Sequence, residues 1–160
     1  RKSRPRPRGC YVFQCPVLFR WSLCCVCAVC DRFSELGEFK MYMLSIGAIS
    51  ECVCSLKAVE EAFEKIDGIV GVVVAPCYGC PLLEYHQIQK LCLEKNVWLC
   101  EDNCESYGAS MREHEDSKTL CPVGSLATIA VVSVRSEKMI GVGEGGAILS
   151  NDADLIGRAR

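Results

Sequence analysis

The chain lacks a dominant charge. Eighteen Lys and Arg stand against 20 Asp and Glu, a net charge of -2, which gives no overall reason to expect a nucleic acid or an anionic membrane as partner. Histidine is scarce: His86 and His114 are the two present, and neither shows metal-ligand spacing. No run of about 20 apolar residues free of charge, the length a transmembrane helix needs, is present. The nearest candidate, Cys10 to Cys30, is interrupted by Gln14, Pro16, Arg20 and Ser22. No internal repeat is visible, so a solenoid or propeller is not indicated.

Cysteine is in excess, at 14 of 160 residues. In a short secreted chain this would suggest a disulfide scaffold, but the spacing is not that of one. Six lie between Cys10 and Cys30, and most others sit in apolar runs such as Leu91-Cys92-Leu93 and Leu99-Cys100. Reduced thiols in core or loop positions are expected, because a buried free cysteine packs as a small hydrophobe. Half of the residues are apolar, enough for one ordinary domain with a sizeable core.

Two textures meet near residue 54. Residues 1–20 carry five Arg, one Lys and no acid, and RKSRPRPRG is a Pro-broken, irregular opening. The ten-residue run Trp21 to Cys30 behind it imitates a signal peptide, though no small-x-small cleavage site follows. A targeting or anchor segment is one reading of residues 1–54; an extension outside the fold is the preferred one. Met41 to Leu56 is a further apolar stretch without an assigned element. From residue 55 the pattern is orderly. Leu56, Val59, Phe63 and Ile66 fall at helical spacing opposite Glu60, Glu61 and Glu64, which predicts a helix ended by Asp67-Gly68. Ile69 to Ala75 (IVGVVVA) reads as a strand buried on both faces of a parallel sheet. Leu82 to Lys95 reads as a second helix with Tyr85, Ile88, Leu91 and Cys92 inward, stopped by Asn96, and Val97 to Cys100 as the next buried strand. Met111 to Pro122 is polar and reads as a solvated loop. Leu126 to Val134 and Ala147 to Leu149 read as strands, and Asn151-Asp152 as the cap of a last helix.

Several constellations compete for the chemistry. Cys27-x-x-Cys30 and Cys77-x-x-Cys80 could supply four zinc thiolates, but the second pair flanks a Tyr-Gly turn between prolines and the first lies in the N-terminal segment. No metal is assigned. A thioredoxin-like role for Cys77 and Cys80 is disfavoured because Pro81 delays the helix that should follow. Gly141-Val-Gly143-Glu-Gly-Gly146 formally satisfies G-x-G-x-x-G, but a strand-like AIL follows where a dinucleotide site opens a helix. A tight turn between strands is the plainer reading. The remaining pattern is a strand ending on Glu101-Asp102 and a strand ending near Ser133 and Lys138, which points to a site at the carboxyl edge of an α/β sheet. A pyridoxal 5'-phosphate (PLP) site needs a lysine to hold the cofactor, an acid on the pyridine nitrogen and donors for the phosphate. Lys138, Asp102 and Ser133 are candidates for these parts. Each is weak alone, since a loop lysine is usually solvated and an Asp after a strand is often a helix cap.

VVVAPCYGCP, VWLCEDNCESYGAS, VGSLAT, SVRSEK and GEGGAILSND, in that order, resemble the DegT/DnrJ/StrS family of PLP-dependent nucleotide-sugar aminotransferases over residues 56–160. EDNCES and EGGAILSND look most like its perosamine-synthase branch. The resemblance implies an α/β fold, the central part of the PLP fold type I (aspartate-aminotransferase-like) large domain, with a mainly parallel sheet and flanking helices, truncated at both ends. It implies two parts: 1–54 without family match, and 55–160 as partial large domain. By resemblance Lys138 is catalytic and bears the cofactor, Asp102 meets the pyridine nitrogen, Ser133 the phosphate, and Glu105, often Gln in the family, faces the cofactor. The implied reaction is transamination of a nucleotide-linked 4-keto sugar with glutamate as amino donor, in a cytoplasmic homodimer without nucleic-acid or membrane partners. The family's Ser-Gly-Thr phosphate turn and its C-terminal small domain find no match in this sequence; Ser45-Ile-Gly-Ala is a faint echo of the turn. A catalytically incomplete member is therefore the alternative, and a membrane-tethered α/β interaction domain a more distant one.

Overall fold

The computed structural model describes residues 9–13, 26–30 and 40–44 as strands, and residues 54–159 throughout. In chain order the elements are β1 (Gly9–Phe13), β2 (Val26–Cys30), β3 (Lys40–Leu44), α1 (Leu56–Lys65), β4 (Ile69–Val74), α2 (Tyr85–Glu94), β5 (Trp98–Asp102), β6 (Ser110–Arg112), β7 (Leu120–Pro122), β8 (Ile129–Ser133), β9 (Gly146–Ser150) and α3 (Ala153–Arg158). Seven strands form one sheet in the order β1-β9-β8-β5-β4-β2-β3.

The expected parallel centre is present. β4 pairs with β5 and β5 with β8 in parallel, while β9, β1, β2 and β3 are added by antiparallel pairing. Working outward through these pairings, five strands share one direction and only β2 and β9 oppose it. The three N-terminal strands come from residues 1–54, which the preferred sequence reading placed outside the fold; here they join the same sheet. Residues 21–25 of the signal-like run, the Ser45-Ile-Gly-Ala echo and the side chains of Cys27 and Cys30 lie outside the described residues. Among the described residues no helix is long and apolar enough to cross a membrane.

The helices form where the apolar spacing placed them. Ser55 caps α1, its Oγ accepting from the Ala58 amide at 3.3 Å. The N-cap of α2, Glu84, reaches across to accept from the Leu56 amide at 2.8 Å, joining the two helix starts. Gly68 and Asn96 follow the helices with φ of 75° and 55°, the left-handed turn that ends a helix. Val59 of α1, Tyr85, Ile88 and Cys92 of α2, Val72 and Val74 of β4 and Leu99 of β5 make one core on one face of the sheet. Gly71 breaks the β-branched run for a reason on the other face: a Cβ there would meet the Trp98 ring at 2.1 Å. Trp98 is its register partner on β5.

The stretch from Met111 to Pro122 corrects an expectation. It is a short β6–β7 hairpin, not an open loop. Met111 is buried in the core while Arg112 and Leu120 face water, so one apolar side chain anchors an otherwise polar segment. All seven cysteines from Cys54 onward are thiols. Cys92 is buried as expected; Cys100 is half-buried, on the opposite face of β5 from Leu99. Burial pushes the Cys92 thiol up to about 11, and burial with the nearby Asp102 and Glu101 carboxylates pushes Cys100 up to about 12. At pH 7.5 native alkylation should therefore reach exposed Cys80 first and modify Cys92 and Cys100 only on unfolding. A peptide-resolved labelling time course checks this; early modification of Cys92 and Cys100 in the native chain would refute the placement.

Candidate active site

Because β5 and β8 are parallel and Asp102 pairs in register with Val131, Asp102 and Ser133 reach the same edge of the sheet. Beyond β5 the chain turns back at once. Asp102 Oδ1 accepts from the Cys104 amide at 3.1 Å, an Asx turn, and the Asn103 amide donates to the Val131 carbonyl at 2.8 Å. Beyond β8 the glycine-rich segment makes the connection to antiparallel β9. Val134 N donates to Gly145 O, Ser136 N to Gly143 O and Val142 N to Val134 O, at 2.9–3.0 Å. Gly143 and Gly145 carry φ of 107° and 145°. The turn reading of this cluster holds, and the strand that follows it is not a dinucleotide helix. Arg135 ties the loop with salt bridges to Glu137 at 3.0 Å and Glu144 at 3.8 Å.

This loop brings Lys138 back over the strand ends, where its Nζ pairs with the Glu105 carboxylate. The lysine side chain is 15% exposed, so its ammonium is largely withdrawn from water. Cys104, Glu105, Tyr107, Ser133, Lys138 and Met139 border an open cleft of about 100 Å³. That is smaller than the roughly 150 Å³ cavity that holds benzene, but it opens to solvent. Of the four residues singled out in the sequence, Glu105, Ser133 and Lys138 thus share one cleft. Asp102 stands at the same edge, behind Cys104, and does not line it. Sequence reading missed Cys104. Its thiol is pushed up by burial first, then by Asp102, with Lys138 opposing, so it is a neutral group between the acid and the amine.

Sequence reading also passed over Glu101. Successive strand side chains alternate faces, so the carboxylate beside Asp102 points into the opposite layer, where Glu101 is fully buried. Its Oε2 accepts from the Gly124 amide at 2.8 Å. Asn103, its nitrogen turned toward the carboxylate, donates to Oε1 at 3.2 Å and to Ser106 Oγ at 2.7 Å. The buried Tyr85 hydroxyl faces the same group, with Cys121 close to that hydroxyl. Burial raises the Glu101 carboxyl from 4.5 to about 7, with Gly124, Tyr85 and Asn103 opposing in that order. The folded state therefore binds this proton more tightly than the unfolded chain. Stability from this group is greatest below about pH 4.5 and falls as pH rises through about 7. Glu101→Gln keeps an acceptor for Gly124 and cannot ionise. It should match the parent near pH 4.5 and exceed it by about 3 kcal/mol at pH 8. Denaturant unfolding at the two pH values checks this, and a difference independent of pH would refute it.

Comparison with known proteins bears on what this edge is for. The family model described as the DegT/DnrJ/EryC1/StrS aminotransferase family matches residues 47–160. The chain belongs to that family. The match begins eight residues before the boundary expected at 55. A UDP-4-amino-4,6-dideoxy-N-acetyl-beta-L-altrosamine transaminase of Helicobacter pylori is 31% identical over 97 residues, 60% of this chain and 24% of that protein. The aminotransferase TlmJ of Streptoalloteichus hindustanus superposes with a TM-score of 0.58 at 28% identity, covering 68% of this chain and 27% of its own. DesI, solved with its TDP-sugar product, gives 0.56 at 26%, covering 68% and 25%. The chain thus spans about a quarter of the length of these relatives. The α/β fold is that of PLP fold type I sugar aminotransferases, as expected from the resemblance.

Proposed function

We propose that this chain supplies the cofactor-bearing part of a PLP-dependent aminotransferase, which moves an amino group from glutamate to a nucleotide-linked 4-keto sugar. The observation that carries this reading is the Lys138–Glu105 pair over the carboxyl ends of β5 and β8, in a chain of this aminotransferase family. An amine, a carboxylate and a hydroxyl at one sheet edge are the donor set PLP requires. When bound, PLP supplies an electron sink through its protonated pyridine ring. Lys138 would hold the cofactor, and its amine is the group placed to move a proton at the substrate carbon. Asp102 would hold the ring nitrogen's proton and Ser133 would donate to the phosphate, while Glu105 would face the cofactor and holds the Lys138 amine in its ion pair. We propose the cytoplasm as its location and a homodimer as its assembly.

A second reading has its own support. Because Asp102 does not line the cleft of about 100 Å³, the site also fits a member that keeps the cofactor-bearing edge without turnover. Incubation with PLP, glutamate and a nucleotide-linked 4-keto-6-deoxyhexose separates the two. Release of 2-oxoglutarate with amino-sugar formation is the first; borohydride-fixed label at Lys138 without either product is the second. Absence of label at Lys138 refutes both. In the same assay Glu105→Gln should speed labelling of Lys138 at pH 7 several-fold, because the amine is no longer held in an ion pair. An unchanged labelling rate would remove Glu105 from this role.

A further inference from the structure

We propose that Cys77 and Cys80 form a reversible disulfide: a redox modification site at the shoulder of the cleft, formed by exchange with a small disulfide such as oxidised glutathione. The inference does not depend on the PLP reading.

The turn geometry carries it. Cys80 N donates to Cys77 O at 2.9 Å, and the two residues between, Tyr78 and Gly79, have φ of 52° and 76°. Positive φ at both central positions with an i to i+3 hydrogen bond is a type I′ turn, whose end Cα atoms lie within about 7 Å. A disulfide spans Cα atoms about 4.4–6.8 Å apart, so the backbone already holds the two cysteines at bridging separation. Pro76 and Pro81 flank the pair and fix their own φ, so little chain freedom remains to be lost on closure. The Cys77 thiol now donates to the Ala75 carbonyl at 3.7 Å. A change of χ1 from one staggered well to another turns it toward Cys80.

The two thiols differ in access. Cys77 is buried and Cys80 is exposed, which orders the steps. The Cys80 thiolate attacks the small disulfide, forming a mixed disulfide and releasing one thiolate. The Cys77 thiolate then attacks Cys80 Sγ, forming the Cys77–Cys80 bond and releasing the second. Two protein thiols are oxidised, one small disulfide is reduced to two thiols, and the two thiol protons pass to the released thiolates. The consequence reaches the cleft by one hydrogen bond, because Gly79 N donates to the Glu105 carbonyl at 3.0 Å. The bridge fixes the turn on which the backbone of Lys138's ion-pair partner rests.

The test uses the whole chain, equilibrated across a series of glutathione redox mixtures, acid-quenched, alkylated and digested with trypsin. The peptide spanning residues 66–90 contains Cys77 and Cys80 and no other cysteine. It should appear lighter by two hydrogen atoms, unalkylated, in the oxidising mixtures, and revert to the doubly alkylated form in the reducing ones. Cys80→Ser and Cys77→Ser should each lose that species, with Cys77→Ser retaining a glutathione adduct on Cys80. Hydrogen exchange at the Gly79 amide should slow several-fold on oxidation. A glutathione adduct on Cys80 as the sole product in the unsubstituted chain, or a bridge from Cys80 to another cysteine, would overturn the proposal.

Discussion

Lys138→Ala should abolish the visible absorption band expected when the chain meets PLP, together with the borohydride-fixed label on the peptide containing residue 138. Lys138 is the lysine that borders the cleft, and its side chain is 15% exposed. Lys65 and Lys90, by contrast, lie on helix surfaces with 68% and 78% of their side chains exposed, in pairs with Glu61 and Glu94. A surface lysine meets PLP only in passing, whereas Lys138 borders, with Ser133, the cleft in which we propose the cofactor sits. The substitution leaves the core intact and removes one partly exposed ion pair, worth about 1 kcal/mol or less. The unfolding midpoint should therefore barely move while the band is lost. Retention of both band and label in Lys138→Ala would end the assignment of this residue, whatever family the chain belongs to.

Asp102→Asn should act on a different step. Labelling of Lys138 should persist, because the amine and its cleft are unchanged. Release of 2-oxoglutarate from glutamate, where the chain supports it, should fall on the order of 10²–10³-fold, about 3–4 kcal/mol by analogy with loss of one preorganised oxyanion donor. Asparagine preserves the acceptor for the Cys104 amide, now at 3.1 Å, so the Asx turn survives and only the negative charge is removed. That charge has a second reporter. Burial and then Asp102 push the Cys104 thiol up, so removing the carboxylate brings the thiol down and speeds its alkylation near pH 9. Full turnover together with unchanged Cys104 reactivity would show that Asp102 acts on neither the cofactor nor its surroundings.

Much of this architecture was legible from spacing. The 3.6-residue period of Val59, Phe63 and Ile66, and of Tyr85, Ile88 and Cys92, reports which side of each helix is turned from water. The β-branched run at Ile69 to Val74 reports a strand for a similar reason. End signals are local too. Asp152 caps α3 through its own Oδ1, which accepts from the amides of Asp154 and Leu155, and such bonds form wherever the backbone turns helical. At the site, the sequence order of Asp102, Ser133 and Lys138 identified the sheet edge, and the family resemblance supplied their roles.

Periodicity says which face is buried and not what lies opposite. It therefore left β1, β2 and β3 unplaced, because such strands are defined by the partners they meet: β9 for β1, β4 and β3 for β2. It read the β6–β7 hairpin as loop, because three-residue strands are too short to show alternation. It named Glu101 and Asp102 together, and only the pleat of β5 separated them, placing one in a buried hydrogen-bond network and the other at the cleft edge. The pairing of Lys138 with Glu105, 33 residues away in the chain, was beyond any local pattern. It exists because β5 and β8 lie side by side in parallel, so that the turns leaving both strands emerge at the same edge.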